Sequence, residues 1–239
     1  MKKFIFFFFV ALGSTFFSSA SAVTSDSGTT VATTLTTPVA DLCSAVADLR
    51  EAKTQKEIEA AAGAFETLRQ QDAGNWLTHY YAAYAYGRIA HITGEMKTID
   101  GWVEKGTEAI QAAAKCNNAD VSEIKVIEAY LDYASIRVNP MVRGFKLSST
   151  AMSKLSSSLD ADGNNPRAYL LITQHLINVP AMLGGDPEKA CKYNAAAQKT
   201  YAMQEADQNR DPLFPTWGRA DSDEIATNFC NETETKKRD

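Results

Sequence analysis

Between Pro38 and Pro140 the chain contains no proline, and alanines and large apolar residues return every three or four positions throughout that span. Proline interrupts helix interiors, alanine is the strongest helix former, and a three-to-four spacing collects apolar side chains on one helical face. A chain with this pattern is committed to helices. Beyond Pro140, the prolines at 166 and 187 follow Asn165 and Asp186, the combination of N-cap and first-turn proline that opens a helix.

Eight helices and a short ninth are predicted. Thr37-Pro38 opens the first, with Val39, Leu42, Val46 and Leu49 on one face. Thr54 and Glu57 have capping-box spacing before a second stripe of Ile58, Ala62, Phe65 and Leu68. Asn75 caps a third helix carrying Trp76, Leu77, Tyr80, Tyr81 and Tyr84, and the fourth carries Ile99, Trp102, Val103, Gly106, Ile110 and Ala113. A fifth runs from about Val121 to Arg137, and Asn139-Pro140 divides it from a sixth with Leu147, Ala151, Leu155 and Leu159. Pro166 starts the seventh, and Pro180 with Gly184-Gly185 closes it. Asp186-Pro187 starts the eighth, and the last short helix is placed around Asp223 to Phe229.

The N-terminus has a different character. Lys2 and Lys3 precede a phenylalanine-dense run from Phe4 to Leu12, and small residues end in Ala20-Ser21-Ala22. That order is a secretory signal peptide cleaved after Ala22, and the apolar run is short for a membrane span of about 20 residues. The division that follows is 1–22 signal peptide, 23–37 flexible Ser/Thr-rich linker, 38–230 helical repeat domain and 231–239 disordered tail. Cleavage moves the formal net charge from −5 to −7. An acidic exported chain lacks the basic surface that nucleic acid requires, and no second long apolar stretch exists to insert the mature chain in a membrane. The expected location is the periplasm or the outside of the cell.

The helix pairs resemble tetratricopeptide (TPR) repeats. Asn75-Trp76-Leu77 and Asn165-Pro166-Arg167-Ala168-Tyr169 are similar to the aromatic opening of a first repeat helix. Ala109-Ile110-Gln111-Ala112-Ala113-Ala114 and Glu188-Lys189-Ala190 are similar to second-helix cores. The spacing departs from a 34-residue period, with extra residues at Val179 to Pro187 and serines in place of alanines in the unit from Val121 to Asp160. The wider combination, with Pro215-x-Trp217-Gly218, resembles exported TPR-like proteins of Gram-negative bacteria, including in part the periplasmic TPR component of some TRAP transporters. The resemblance implies an all-α, TPR-like α-solenoid of stacked antiparallel helix pairs. It also implies a protein-interaction module in the cell envelope, receiving a protein or peptide partner. The second reading is a small-molecule-binding periplasmic component associated with a transporter.

Four residues are candidates for contact with that partner or ligand. Tyr81 and Tyr86 are expected to face away from the core stripe formed by Trp76, Tyr80 and Tyr84, and so to line a groove. Arg143, in the corner Asn139 to Gly144, either grips a carboxylate bidentately or pairs within the fold, for example with Glu123. Trp217 belongs to the Pro215-x-Trp217-Gly218 motif. The loop Pro180 to Asp186 forms either a lip over the binding face or a plain glycine turn.

Catalysis and cofactors find no support. His79 and His91 lie about 18 Å apart along one helix, with His175 remote in sequence. No HExxH, CxxC, P-loop lysine or G-x-S-x-G elbow occurs, so neither metal nor other cofactor is expected and the chain reads as a binder, not an enzyme. Of the four cysteines, Cys191 and Cys230 form a disulfide if the last helix folds back on the eighth. Cys43 and Cys116 are expected to be small buried residues.

Overall fold

The computed structural model describes residues 38–231. The expected signal peptide and Ser/Thr-rich linker, and the expected tail beyond Asn231, fall outside them. Within the described residues the chain is helical without strands: α1 (Pro38–Glu51), α2 (Gln55–Gln71), α3 (Trp76–Ile92), α4 (Ile99–Ala113), α5 (Val121–Ile136), α6 (Pro140–Ala161), α7 (Pro166–Asn178), α8 (Pro187–Ala206) and α9 (Arg219–Ile225). A π-helical turn, Ala226–Cys230, prolongs α9, so the last helix begins four residues earlier than Asp223.

Local chemistry sets the helix starts. The Glu57 amide donates to Thr54 Oγ1 at 3.3 Å while Glu57 Oε2 accepts from the Thr54 amide at 2.8 Å, a complete capping box. Asn75, Asp120, Asn139, Asn165 and Asp186 each accept a first-turn amide on the side chain. These bonds satisfy donors that a helix start otherwise leaves to water, each at about 1 kcal/mol.

Each helix packs on its successor, and α1, α3, α5 and α7 also touch in series. Two layers result: α1, α3, α5 and α7 form one, the odd-numbered layer, and α2, α4, α6 and α8 cover it. Helix α3 lies at the centre, against α2, α4 and α5. Its small residues allow close approach; a Cβ on Gly87 would stand 2.8 Å from the Tyr130 ring.

After α8 the chain does not leave the body. Residues 207–218 form a strap back across the odd-numbered layer. Arg50 of α1 donates to Thr216 Oγ1 (3.0 Å), Tyr81 of α3 to the Leu213 carbonyl (2.8 Å), Arg167 of α7 to the Pro215 carbonyl (2.9 Å) and Tyr201 of α8 to the Trp217 carbonyl (2.9 Å). The strap ends at Gly218, whose φ of +96° only glycine adopts readily and whose missing side chain leaves room for Tyr201 and Leu170. Helix α9 then returns along α8, where Cys191 and Cys230 are bonded with Cα atoms 5.5 Å apart. Cys43 is exposed and Cys116 half-buried, contrary to the expectation of two buried thiols. Cys43 follows the buried Leu42 on α1 and therefore turns outward.

Candidate functional site

The expected groove residues are not at a free surface. Tyr81 is 4% exposed and Tyr86 7%. Tyr81 stacks on Phe65 at 5.6 Å beneath the strap, and Tyr86 stacks on Trp102 at 5.9 Å with its hydroxyl on Glu66 at 2.9 Å. The expectation that they face away from the core fails because α3 has neighbours on nearly every side. Tyr84, placed in the core stripe, packs against the core while partly exposed, and stacks on Trp217 at 4.7 Å.

Trp217 therefore packs inward. Its Nε1 donates to Tyr80 Oη at 2.9 Å, and Tyr80 Oη donates to Glu123 Oε2 at 2.8 Å. Glu123 meets Arg167, not Arg143. The Arg167 Nε and Nη2 lie 2.6–3.0 Å from the two carboxylate oxygens, both side chains are buried, and Asn165 Nδ2 adds a bond at 2.8 Å. Burial, and secondly the Glu123 charge, push the Tyr80 hydroxyl well above its ordinary range. Every polar member of this network has a partner, so it anchors the strap and offers no free group to a ligand. A separate cleft of about 210 Å³ between α4, α5 and α6 is lined by Ile110, Leu131 and the Asp132–Lys154 pair. Its volume falls below the roughly 300–1,000 Å³ usual for small-molecule sites.

The opposite end of the odd-numbered layer is different. Helices α5 and α7 run parallel, joined at their starts by Glu123–Arg167 and near their ends by the Tyr133 and His175 rings, whose centroids are 5.8 Å apart. Tyr133 Oη and His175 Nδ1 are buried and have no hydrogen-bond partner among the described residues. Such groups cost roughly 1–3 kcal/mol each, and His79 Nδ1, Arg69 Nε and Arg210 Nε share that state. Burial lowers the His175 pKa, keeping the ring neutral, and raises that of Tyr133.

Large apolar side chains stand in solvent at the α5–α6 and α7–α8 corners, which follow the ends of the two helices that carry this pair. On the first turns of α6, Met141 is 97% and Phe145 82% exposed, with Val142 beside them; on the 3-10 turn after α7, Met182 is 89% exposed, with Leu183 next to it. Residues 141, 142 and 145 share one face of α6. Isolated exposed apolar residues are ordinary, but several on one helix face make the kind of apolar patch that marks a binding surface. Arg143 lies between them, held by Asp100 at 2.5 and 2.9 Å and by Ser135 Oγ at 3.0 Å. Lys146 is exposed next to Phe145. In the α7–α8 loop, Gly184 adopts φ +102° and closes the turn that presents Met182 and Leu183.

Both corner segments were marked by the sequence. Tyr133 and His175 were not, because their pairing joins residues 42 positions apart on different helices. The remaining signal was modest: two apolar residues after Asn139-Pro140 and two before Gly184, where turns normally carry polar side chains.

No protein-family model and no curated protein sequence matches the chain. Among solved structures it is similar to the HusA haemophore from Porphyromonas gingivalis, with a TM-score of 0.74 and 26% identity over 83% of this chain and 95% of that one. The likeness thus takes in almost the whole of the haemophore. No described helix is long and apolar enough to cross a membrane.

Proposed function

We propose that the protein is an exported, non-enzymatic binder of haem or a closely related planar macrocycle. The ligand lies against the apolar corners formed by Met141, Val142, Phe145, Met182 and Leu183. The observation that carries this reading is the set of exposed apolar side chains at the α5–α6 and α7–α8 corners, in a chain whose structural neighbour is a haemophore. A macrocycle of this class has a broad apolar face and an anionic edge. The cluster suits the first, and Lys146 beside Phe145 suits the second. The N-terminal signal features support export.

The peptide-groove reading is less well supported. The layer of α1, α3, α5 and α7 would supply that groove, and the strap covers it through Leu213, Phe214 and Trp217. We read the two layers as a TPR-like stack of antiparallel pairs whose interaction face is filled by its own C-terminal segment. Ligand binding, the second expectation from the sequence, replaces peptide binding as the leading function.

Titration of the purified protein with ferric haem, followed at the Soret band, is expected to saturate. The double variant Phe145→Ser, Met182→Ser should weaken binding by about tenfold or more, since each loses on the order of 1 kcal/mol of apolar contact and 1.4 kcal/mol is tenfold. Both residues are exposed, so the fold should be unaffected. Absence of a saturable spectral change would overturn the proposal.

A further inference from the structure

We propose that the ligand-free protein forms a two-fold dimer in which the outward face of α6 packs antiparallel on the same face of a second copy. The inference stands apart from the ligand reading above and is tested on the protein alone. Helix α6 packs inward on α5 and α7, burying Ala151, Leu155 and Ser158. Its outward face lacks the charges that cover other helices. Glu188, Lys189, Lys192 and Lys199 stand exposed along α8. Between Lys146 and Asp160 of α6 the sole charged residue is Lys154, and it turns aside to Asp132 at 2.6 Å. The exposed positions in that interval are Ser149, Ser153, Ser156 and Ser157. Serine is a weaker helix former than the Glu, Lys or Gln of a solvated face, so this choice gains nothing for a helix left in water.

The two ends of the face complement each other in charge. Lys146 and Asp160 are both exposed, and neither is engaged in an ion pair among the described residues. They lie about four turns apart on the same side of the helix. An antiparallel two-fold that brings Lys146 to Asp160 of a second copy forms that pair twice, because each contact in such an interface is repeated with the roles exchanged. The midpoint between the two residues is Ser153, which then meets its own symmetry mate where the helices are closest, while Ser149 meets Ser157.

Size is matched as well. The large side chains stand at the start of the face, with Met141 97% and Phe145 82% exposed, and the small exposed residues Ala161 and Gly163 stand at its end. The same register lays Phe145 over Ala161 of the second copy and Met141 over the turn that holds Gly163. A parallel pairing would instead set Lys146 against Lys146 and Asp160 against Asp160. The paired span from Phe145 to Ala161 is roughly 25 Å long. One helix face of that length buries less than the roughly 800 Å² per partner of a standard interface, so the dimer is weak, with a dissociation constant on the order of 10–100 μM. Phe145 also belongs to the proposed ligand surface, which is why the pairing is assigned to the ligand-free protein.

Sedimentation equilibrium of the purified protein without ligand, over about 5–500 μM, should show monomer and dimer in exchange. Lys146→Glu and Asp160→Lys should each weaken association by about tenfold or more, since each turns two attractive contacts into two repulsive ones. The two reversals together should restore it to within about threefold of the parent. All these side chains are exposed, so far-UV circular dichroism should not change. In a Cys43→Ser background, which removes the exposed thiol, Ser153→Cys should form an intermolecular disulfide under mild oxidation. Ser149→Cys should not, because its symmetry mate lies roughly 12 Å away along the helix axis, beyond the roughly 7 Å that a disulfide spans. A monomer at every concentration, a dimer that the single reversals leave intact or the double reversal fails to restore, or equal crosslinking at positions 149 and 153 would overturn the proposal.

Discussion

The Trp217 indole stacks on the Tyr84 ring at 4.7 Å, nearly parallel, and also donates from Nε1 to Tyr80 Oη. One residue of the strap thereby joins its apolar face and its polar edge to the same central helix. Trp217→Ala should remove both contacts and a large apolar area, lowering stability by about 3 kcal/mol. Chemical denaturation would measure this, and a change below about 1 kcal/mol would show that the strap is held by its backbone bonds.

Glu123→Gln should cost about 3 kcal/mol or more, because it leaves the buried Arg167 guanidinium without a counter-charge. Removing both charges, as Glu123→Leu with Arg167→Met, should recover much of that loss. A double-mutant cycle reads the coupling directly, and additive losses would argue against the pair acting as a unit.

Reduction of the Cys191–Cys230 bond should destabilise the C-terminal segment. The bond closes a loop of 39 residues, for which chain-entropy reasoning gives about 4 kcal/mol. Comparing the melting temperature with and without dithiothreitol checks this. Because α9 follows the strap directly, reduction should also alter Trp217 fluorescence before the rest of the protein unfolds.

Stability should fall in mild acid through His91. Burial holds its folded pKa at about 4, while the unfolded chain titrates near 6.5. Between those values the unfolded state binds a proton that the folded state does not, so stability rises with pH. It is complete above about pH 6.5 and roughly 3 kcal/mol is lost as pH falls towards 4. His175, shifted in the same direction by burial, adds to the trend. His91→Gln, which can still donate to the Tyr130 carbonyl, should show a shallower decline over that window in pH-dependent denaturation. An identical slope would exclude His91 as its source.

The sequence by itself determined the helices. The capping box at Thr54 and Glu57, the asparagine caps at 75 and 165 and the first-turn prolines act within four residues, so their chemistry is complete in the local chain. It also marked the corners at Asn139 to Gly144 and Pro180 to Asp186. Which face of a helix is covered is a different kind of question. Periodicity separated Tyr81 and Tyr86 from the stripe of Tyr80 and Tyr84, but α3 is packed by α2, α4, α5 and the strap, and a helix enclosed on nearly every side has little outward face to read. The partner of Arg143 is Asp100, 43 residues away, and that of Glu123 is Arg167, 44 residues away. Many carboxylates were equally available to each arginine in the sequence. The packing of α6 near α4 selected the first pair and the parallel placement of α5 and α7 the second, and that same placement brought the Tyr133 ring to His175.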